Sequence, residues 1–157
     1  MKYAIIRISY PFGNYDSDKD FLVKTLKYIK SGVAFFSDQI FTPTHVLDLV
    51  KVIAILINLR KECIYHIICT GVTTPEQLAF LYVKKNLNLK NEIRPQRLSE
   101  FLREQRSIAR PVYGGLLNSI TQQSLNLKLP GWKKVVNNCL KKENLKVKPR
   151  RLSSHPG

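Results

Sequence analysis

Apolar residues recur along the chain with two spacings, which together predict alternating strands and helices. Residues 3–9 are almost continuously apolar and end at a proline–glycine turn, which is typical of a strand covered on both faces in a parallel sheet. Residues 64–69 have the same character, and residues 33–36 form a shorter candidate strand. The chain is therefore expected to be an α/β protein.

After the first strand, apolar residues recur with the spacing of a helix. Asp18 or Asp20 can cap a helix that runs to about Ser31. Thr44 is a candidate N-cap for a second helix over residues 45–58, which has few polar positions and is expected to be buried between layers.

The later helices have clearer start signals. Thr74 is a candidate N-cap, Pro75 follows at the first helical position, and Gln77 occupies the capping-box position. Together they predict a helix that runs to about residue 88. Shorter helices are expected within residues 98–105, 118–126 and 132–142.

Two clear strands are too few for a doubly wound sheet. We therefore expect the last strands of an incomplete Rossmann-type sheet plus a small α/β substrate-binding subdomain, together over residues 1–142. Residues 143–157 have few large apolar groups and many cations, so we expect a basic, disordered tail. On this interpretation, part of the sheet is missing before the first strand.

The formal charge of +15 attracts phosphate groups in general, whether of nucleotides, nucleic acids or lipids. Neither a secretory leader nor an apolar run of membrane-spanning length is evident, so a soluble, cytoplasmic protein is expected.

The cysteines do not predict a metal site. Alternation along a strand places Cys63 and Cys69 on one face and His66 on the other, and a fourth ligand is absent. Both cysteines are expected to be buried strand residues. His45 has no identifiable carboxylate partner, so no catalytic dyad is predicted.

Four segments in order carry a family resemblance. They are residues 7–13 (RISYPFG), 37–44 (SDQIFTPT, followed by Asp48-Leu49), 64–71 (IYHIICTG) and 109–118 (ARPVYGGLLN, with LPGW at 129–132). The chain resembles the dTDP-4-dehydrorhamnose reductases, which are extended short-chain dehydrogenases/reductases, in their carboxy-terminal, substrate-binding part.

The resemblance implies reduction of a 4-keto deoxysugar nucleotide, such as dTDP-4-dehydrorhamnose, by NADPH or NADH. It also implies a glycine-rich turn for the cofactor and a catalytic Tyr-x-x-x-Lys. The seven glycines lack the required spacing, and the Tyr15–Lys19 match follows a turn, so we interpret it as a chance match. NAD(P)H is therefore not expected to bind this chain alone, and the chain alone is expected to be inactive.

The resemblance also implicates particular residues. Those expected to contact the cofactor are Ser9, Tyr10 and Pro11. Those expected to bind the substrate are Tyr10, Gln39, Pro43, Thr44 and Arg110. A guanidinium binds pyrophosphate oxygens in a bidentate manner, which suits the arginine to this role. Each residue also has a purely structural alternative. Tyr10 could be a tyrosine packed under a turn, residues 39–44 could form a turn with a helix cap, and Arg110 could be a solvated surface residue. No catalytic residue or metal ligand is assigned.

Two further hypotheses stay open. The chain could be a non-catalytic binding or regulatory member of the same family, or a basic nucleic-acid-binding protein. Against the latter, the cations of residues 1–142 are not interleaved with aromatic residues as in single-strand binders. The expected partners are a nucleotide sugar and either a separate Rossmann half or further copies of the chain.

Overall fold

Short strands and longer helices alternate through the residues that the structure, a computed structural model, describes: 3–13, 17–85, 92–104 and 110–143. The strands are β1 Ala4–Arg7, β2 Pro11–Phe12, β3 Phe35–Phe36, β4 Ile40–Phe41, β5 Thr44–His45, β6 Cys63–His66, β7 Pro95–Gln96 and β8 Tyr113–Gly114. The helices are α1 Phe21–Lys30, α2 Val46–Asn58, α3 Pro75–Lys85, α4 Leu98–Glu104, α5 Ser119–Ser124 and α6 Trp132–Glu143. Tyr15 lies outside the described residues, as does the tail predicted over residues 143–157 except for Glu143, which ends α6.

The strands pair two by two, and every pair is parallel. β1 pairs with β6, β2 with β5, β3 with β7, and β4 with β8. The two segments predicted as buried parallel strands, now β1 and β6, are thus neighbours, with Ile5 opposite Ile64. The α/β class and the partial Rossmann-like sheet are confirmed.

Helix starts follow the predicted caps at two of three positions. Asp20 caps α1 by accepting hydrogen bonds from the amides of Leu22 and Val23. Thr74 caps α3 by accepting from the amide of Gln77 at 3.2 Å. The cap predicted at Thr44 is wrong, because Thr44 lies in β5 and the N-cap of α2 is His45, which makes no side-chain capping bond.

Two clusters of buried apolar side chains make up the core. The first, called the α1–α3–α6 core, contains Phe12, Leu22, Ile29, Phe35, Phe41, Cys69, Leu78, Ala79, Tyr82, Trp132, Val135, Val136, Cys139 and Leu140. The second, called the β1–β6–α2 layer, contains Val52, Leu56, Tyr65, Ile67, Leu125 and Leu129.

The β1–β6–α2 layer is covered on one side only, which corrects three expectations. α2 is not buried between layers, since Leu47, Val50 and Ile57 are 54%, 57% and 69% exposed. β1 is not covered on both faces, because Ile5 is 42% exposed. Cys63 is exposed rather than buried. Several apolar side chains of β1, β6 and α2 are therefore exposed at the surface of the described residues.

The carboxy-terminal helices are fastened to the end of β6 by hydrogen bonds that span long stretches of sequence. The Asn118 side chain donates to the Ile68 carbonyl at 3.0 Å, and the Thr70 hydroxyl donates to the Leu129 carbonyl at 2.8 Å. The Trp132 indole donates to the Val72 carbonyl at 3.0 Å. These bonds bring α5 and α6 against the segment that follows β6.

Candidate functional site

Thr44 joins three chain segments at the carboxyl end of β1. Its hydroxyl accepts a hydrogen bond from the Ser9 amide and donates one to the Ile67 carbonyl, both at 3.0 Å. Its amide donates to the Tyr10 carbonyl at 3.3 Å, and it lies opposite Pro11 in the β2–β5 pair. The side chain is fully buried, so in this structure it positions the Ser9–Pro11 segment rather than facing solvent.

Tyr10 occupies a strained position beside this junction. Its φ of 45° lies in the left-handed region, which non-glycine residues seldom adopt and which recurs at functional sites. The ring centroid lies 4.4 Å from that of Phe41 and 4.9 Å from that of Phe21. Packing against Phe41 and Phe21 therefore holds the ring in place, while the hydroxyl lies next to the polar side chain of Gln39.

Gln39 supplies the polar partner of Tyr10. Its side-chain nitrogen donates to the Tyr10 hydroxyl at 3.3 Å, and the residue is 4% exposed. Pro43, four residues later, is buried, and its carbonyl accepts from the Cys69 amide at 2.8 Å. The structure thus brings Tyr10 and Gln39 together, whereas Pro43 is part of the framework behind them.

The backbone position of Arg110 follows from the pairing of β4 with β8. In the β4–β8 pair Tyr113 lies opposite Ile40, so the segment that contains Arg110 runs alongside the one that contains Gln39. Arg110 is exposed and has no carboxylate partner within the described ranges. Its guanidinium is therefore available to an anionic ligand.

Asp20 fastens the turn that follows Tyr10 to helix α1. One carboxylate oxygen accepts from the Gly13 amide at 2.6 Å, while the other caps the helix. Gly13 has a φ of 109°, and a Cβ there would lie 3.0 Å from the His45 ring. The turn therefore requires glycine, and Asp20 fixes its place.

His45 has the carboxylate partner that sequence reasoning failed to find. Its Nδ1 lies 2.8 Å from Oδ2 of Asp48, and the two side chains are 14% and 20% exposed. The pair borders a cavity of about 230 Å³ together with Gly13 and Lys134. The i,i+3 spacing at a helix start was the signal that could have revealed it.

Two ionisable groups behind the site have shifted pKa values. The pKa of Asp38 is lowered overall. Burial acts to raise it, but the hydrogen bonds that the carboxylate accepts from the Leu98 amide and from the amide and hydroxyl of Ser99 have the larger effect. Burial raises the pKa of the Cys69 thiol to about 12. Asp38 is therefore a charged anchor for α4, and Cys69 is a neutral core residue.

Two other features do not occur in the described residues. No group of three or more potential metal ligands occurs in them. No helix among them is both long enough and apolar enough to cross a bilayer.

The parallel strand pairs, with polar residues at the carboxyl end of β1, form part of a Rossmann-type α/β sheet. Residues 1–145 match the family model of the RmlD substrate binding domain, and the chain belongs to this family. A sequence search of curated proteins found no match.

Solved structures show the same relationship. The chain is similar to the dTDP-4-dehydrorhamnose reductase of Bacillus anthracis solved in complex with NADP, with 26% identity, a TM-score of 0.76, and coverage of 90% of this chain and 49% of that one. The chain is also similar to the dTDP-4-dehydrorhamnose reductase of Yersinia enterocolitica, with 25% identity, a TM-score of 0.73, and coverage of 88% of this chain and 48% of that one. The chain therefore spans about half the length of the structures that it matches.

More distant structures share the fold. The dTDP-glucose 4,6-dehydratase of Bacillus anthracis, solved in complex with NAD, is 11% identical with a TM-score of 0.68, covering 91% of this chain and 45% of that one. The site residues implied by the family resemblance are placed by the structure as described above, and their contacts with ligands stay predictions.

Proposed function

We propose that this chain is the substrate-binding portion of an NAD(P)-dependent sugar-nucleotide reductase, and that it binds a 4-keto deoxysugar nucleotide such as dTDP-4-dehydrorhamnose. The observation that carries the proposal is the Tyr10–Gln39 pair, held at the carboxyl end of β1 beside the segment that bears Arg110. Ligands of open α/β sheets bind outside the carboxyl ends of the strands. Family membership supports the same ligand class.

Each residue has a distinct part in this proposal. The hydroxyl of Tyr10 and the amide of Gln39 offer hydrogen bonds to the sugar, and the aromatic neighbours of Tyr10 hold its ring in place. Arg110 binds the pyrophosphate through paired N–H donors. Thr44 and Pro43 act as positioning residues, because their polar groups bond to neighbouring segments of the framework.

The described residues contain no turn that fits the pyrophosphate of a dinucleotide cofactor. Such a site needs a glycine-rich turn that leads from a strand into a helix N-terminus. The glycines with positive φ, at positions 13, 32 and 71, are far apart in sequence and form no such turn. We therefore propose that NADPH or NADH is held outside this chain, and that Ser9, Tyr10 and Pro11 contribute only contacts to its nicotinamide end.

Ligand binding by the chain tests the proposal directly. Saturation-transfer NMR with dTDP-rhamnose should show transfer to the sugar protons, and Arg110→Ala should weaken binding about tenfold or more, because a charge-assisted contact is lost. Arg60→Ala is the matched control, since Arg60 is also exposed but lies before β6, near the opposite ends of the strands.

Two results would contradict the proposal. One is the absence of any saturation transfer at millimolar dTDP-rhamnose. The other is equal binding by the Arg110 and Arg60 variants, which would show that the guanidinium at position 110 does not contact the ligand.

A further inference from the structure

The cavity of about 230 Å³ beside His45 is the starting point for one inference. Its polar lining comes in two pairs, His45 with Asp48 at the start of α2 and Lys134 with Asn138 on α6. The volume is about seven times the roughly 30 Å³ that one water molecule occupies in the liquid, so a ligand of several non-hydrogen atoms fits. Leu47 and Lys134 in the lining are exposed, so the cavity is open to solvent.

This cavity is separate from the proposed sugar-nucleotide site. None of Tyr10, Gln39 and Arg110 lines it. Gly13 does line it, and a Cβ at that position would lie 3.0 Å from Cδ2 and 3.3 Å from Nε2 of the His45 ring. The edge of the ring that carries Nε2 therefore faces the wall formed by Gly13.

Asp48 determines what the His45 ring offers to a ligand. Its Oδ2 lies 2.8 Å from Nδ1, and an ionised carboxylate only accepts hydrogen bonds, so Nδ1 carries the proton. In the neutral ring Nε2 is then an acceptor, and it has no hydrogen-bond partner among the described residues. Nε2 therefore suits a ligand group that donates, such as a hydroxyl.

The wall formed by α6 offers hydrogen-bond donors instead. Lys134 and Asn138 are four residues apart, so they lie on the same side of the helix, and their ammonium and amide N–H groups suit an anionic oxygen. The negative charge of Asp48 is already offset, because one oxygen contacts His45 and the other lies 3.8 Å from Nζ of Lys51. A carboxylate on the ligand is therefore favoured on this side.

The floor of the cavity is apolar. Val135 and Cys139 are four residues apart on α6, and each is 6% exposed. Pro130 and Leu47 complete the apolar lining. The space beside these residues suits a short alkyl chain rather than a second charged group.

We propose that this cavity binds a small 2-hydroxy carboxylate. Its hydroxyl donates to Nε2 of His45, and its carboxylate accepts from Lys134 and Asn138. Its short alkyl chain lies against Val135 and Cys139. The site is additional to the proposed function and does not depend on it.

NMR titration of the ¹⁵N-labelled full chain tests the ligand class. 2-Hydroxybutyrate is the probe, each enantiomer being titrated separately, and one of them should shift the amide signals of Gly13 and Val135 in a saturable manner. Butyrate lacks the hydroxyl and should bind about fivefold or more weakly, because one hydrogen bond is lost. 1,2-Butanediol lacks the carboxylate and should bind about tenfold or more weakly, because the charge-assisted contact is lost.

Two neighbouring lysines provide a matched pair of variants. Lys134→Met should weaken the binding of 2-hydroxybutyrate about tenfold or more. Lys133→Met is the control and should leave it unchanged, since Lys133 is also exposed but lies over the Trp132 ring, 5.6 Å from its centroid, and does not line the cavity.

His45→Phe tests the hydroxyl contact. The variant keeps an aromatic ring beside Phe12, whose centroid lies 5.4 Å from that of His45, but it has no acceptor nitrogen. It should bind butyrate and 2-hydroxybutyrate equally well. Circular dichroism of each variant checks its folding, and if the His45 variant does not fold, the ligand comparison and the lysine pair still decide.

Three results would overturn the proposal. The first is the absence of a saturable shift with either enantiomer of 2-hydroxybutyrate at concentrations up to about 50 mM. The second is equal binding of butyrate and 2-hydroxybutyrate by the unmodified chain. The third is an equal effect of the Lys134 and Lys133 variants. None of these measurements uses a nucleotide sugar, so each can be told apart from a failure of the proposed function.

Discussion

The α1–α3–α6 core and the β1–β6–α2 layer contain similar kinds of apolar residue but bury them to different extents. In the first, Leu22 and Val136 are completely buried and Tyr82 is 1% exposed. In the second, ten of the thirteen residues of α2 are apolar, yet only Val52 and Leu56 are buried. The more apolar helix is thus the less covered one.

This difference shows that the apolar content of a segment indicates which surfaces need covering, but not whether the same chain covers them. α1 buries Leu22, Thr25 and Ile29 on one side, where it packs on α3, and α3 in turn packs on α6. α2 packs on β1 and β6 with one side, whereas Leu47, Val50 and Ile57 are exposed. Two predictions separate the two regions by experiment, and a third tests the anchor of α4.

The largest expected difference is in cysteine reactivity. Cys69 lies in the α1–α3–α6 core with its pKa raised to about 12, whereas Cys63 lies in β6 and is exposed. Since the thiolate is the reactive form, iodoacetamide at pH 8 should label Cys63 at least about a hundredfold faster than Cys69. Peptide mass spectrometry over time measures both rates, and Cys63→Ser should remove the fast product. Equal labelling would mean that the core opens readily.

A smaller difference is expected in stability after truncation of leucine. Leu22→Ala should lower the free energy of unfolding by about 2–5 kcal/mol, because it leaves a cavity in the core. Leu47→Ala, at a 54% exposed position of α2, should change it by less than about 0.5 kcal/mol. Urea denaturation measures both. A large loss in the α2 variant would show that its outer side is covered in solution.

The smallest expected effect concerns pH and the anchor of α4. The pKa of Asp38 is lower in the folded chain than in the unfolded chain. At a pH above the unfolded-state pKa, the ionised carboxylate therefore stabilises the fold. This contribution is lost as the pH falls through the folded-state pKa. Asp38→Asn should therefore lower the free energy of unfolding by about 1 kcal/mol at pH 7, and by progressively less below about pH 4. Thermal unfolding across this range measures it. A constant difference between the two proteins would contradict the assigned hydrogen bonds.

The sequence was sufficient for local features. The capping roles of Asp20 and Thr74 and the parallel character of β1 and β6 follow from short-range patterns, and the structure confirms them. The family could be identified as well, because its segments keep their order along the chain. The juxtaposition of Tyr10 and Gln39 was implied only by the family resemblance.

Features that depend on distant contacts could not be predicted from local patterns. Thr44 resembles a helix cap, but its hydroxyl is used by Ser9 and Ile67, which lie in other segments. The burial expected of α2 assumed a layer that the described residues do not supply. The contact between His45 and Asp48 was missed, although the two residues are only three positions apart.

The hydrogen bonds that fasten α5 and α6 to the end of β6 also constrain the order of folding. The bond from Thr70 to Leu129 spans 59 residues and the bond from Trp132 to Val72 spans 60. Contacts of such separation require the closure of long loops and slow the folding reaction. During synthesis, the segment after β6 must therefore wait for residue 132 to leave the ribosome before it can reach its final conformation.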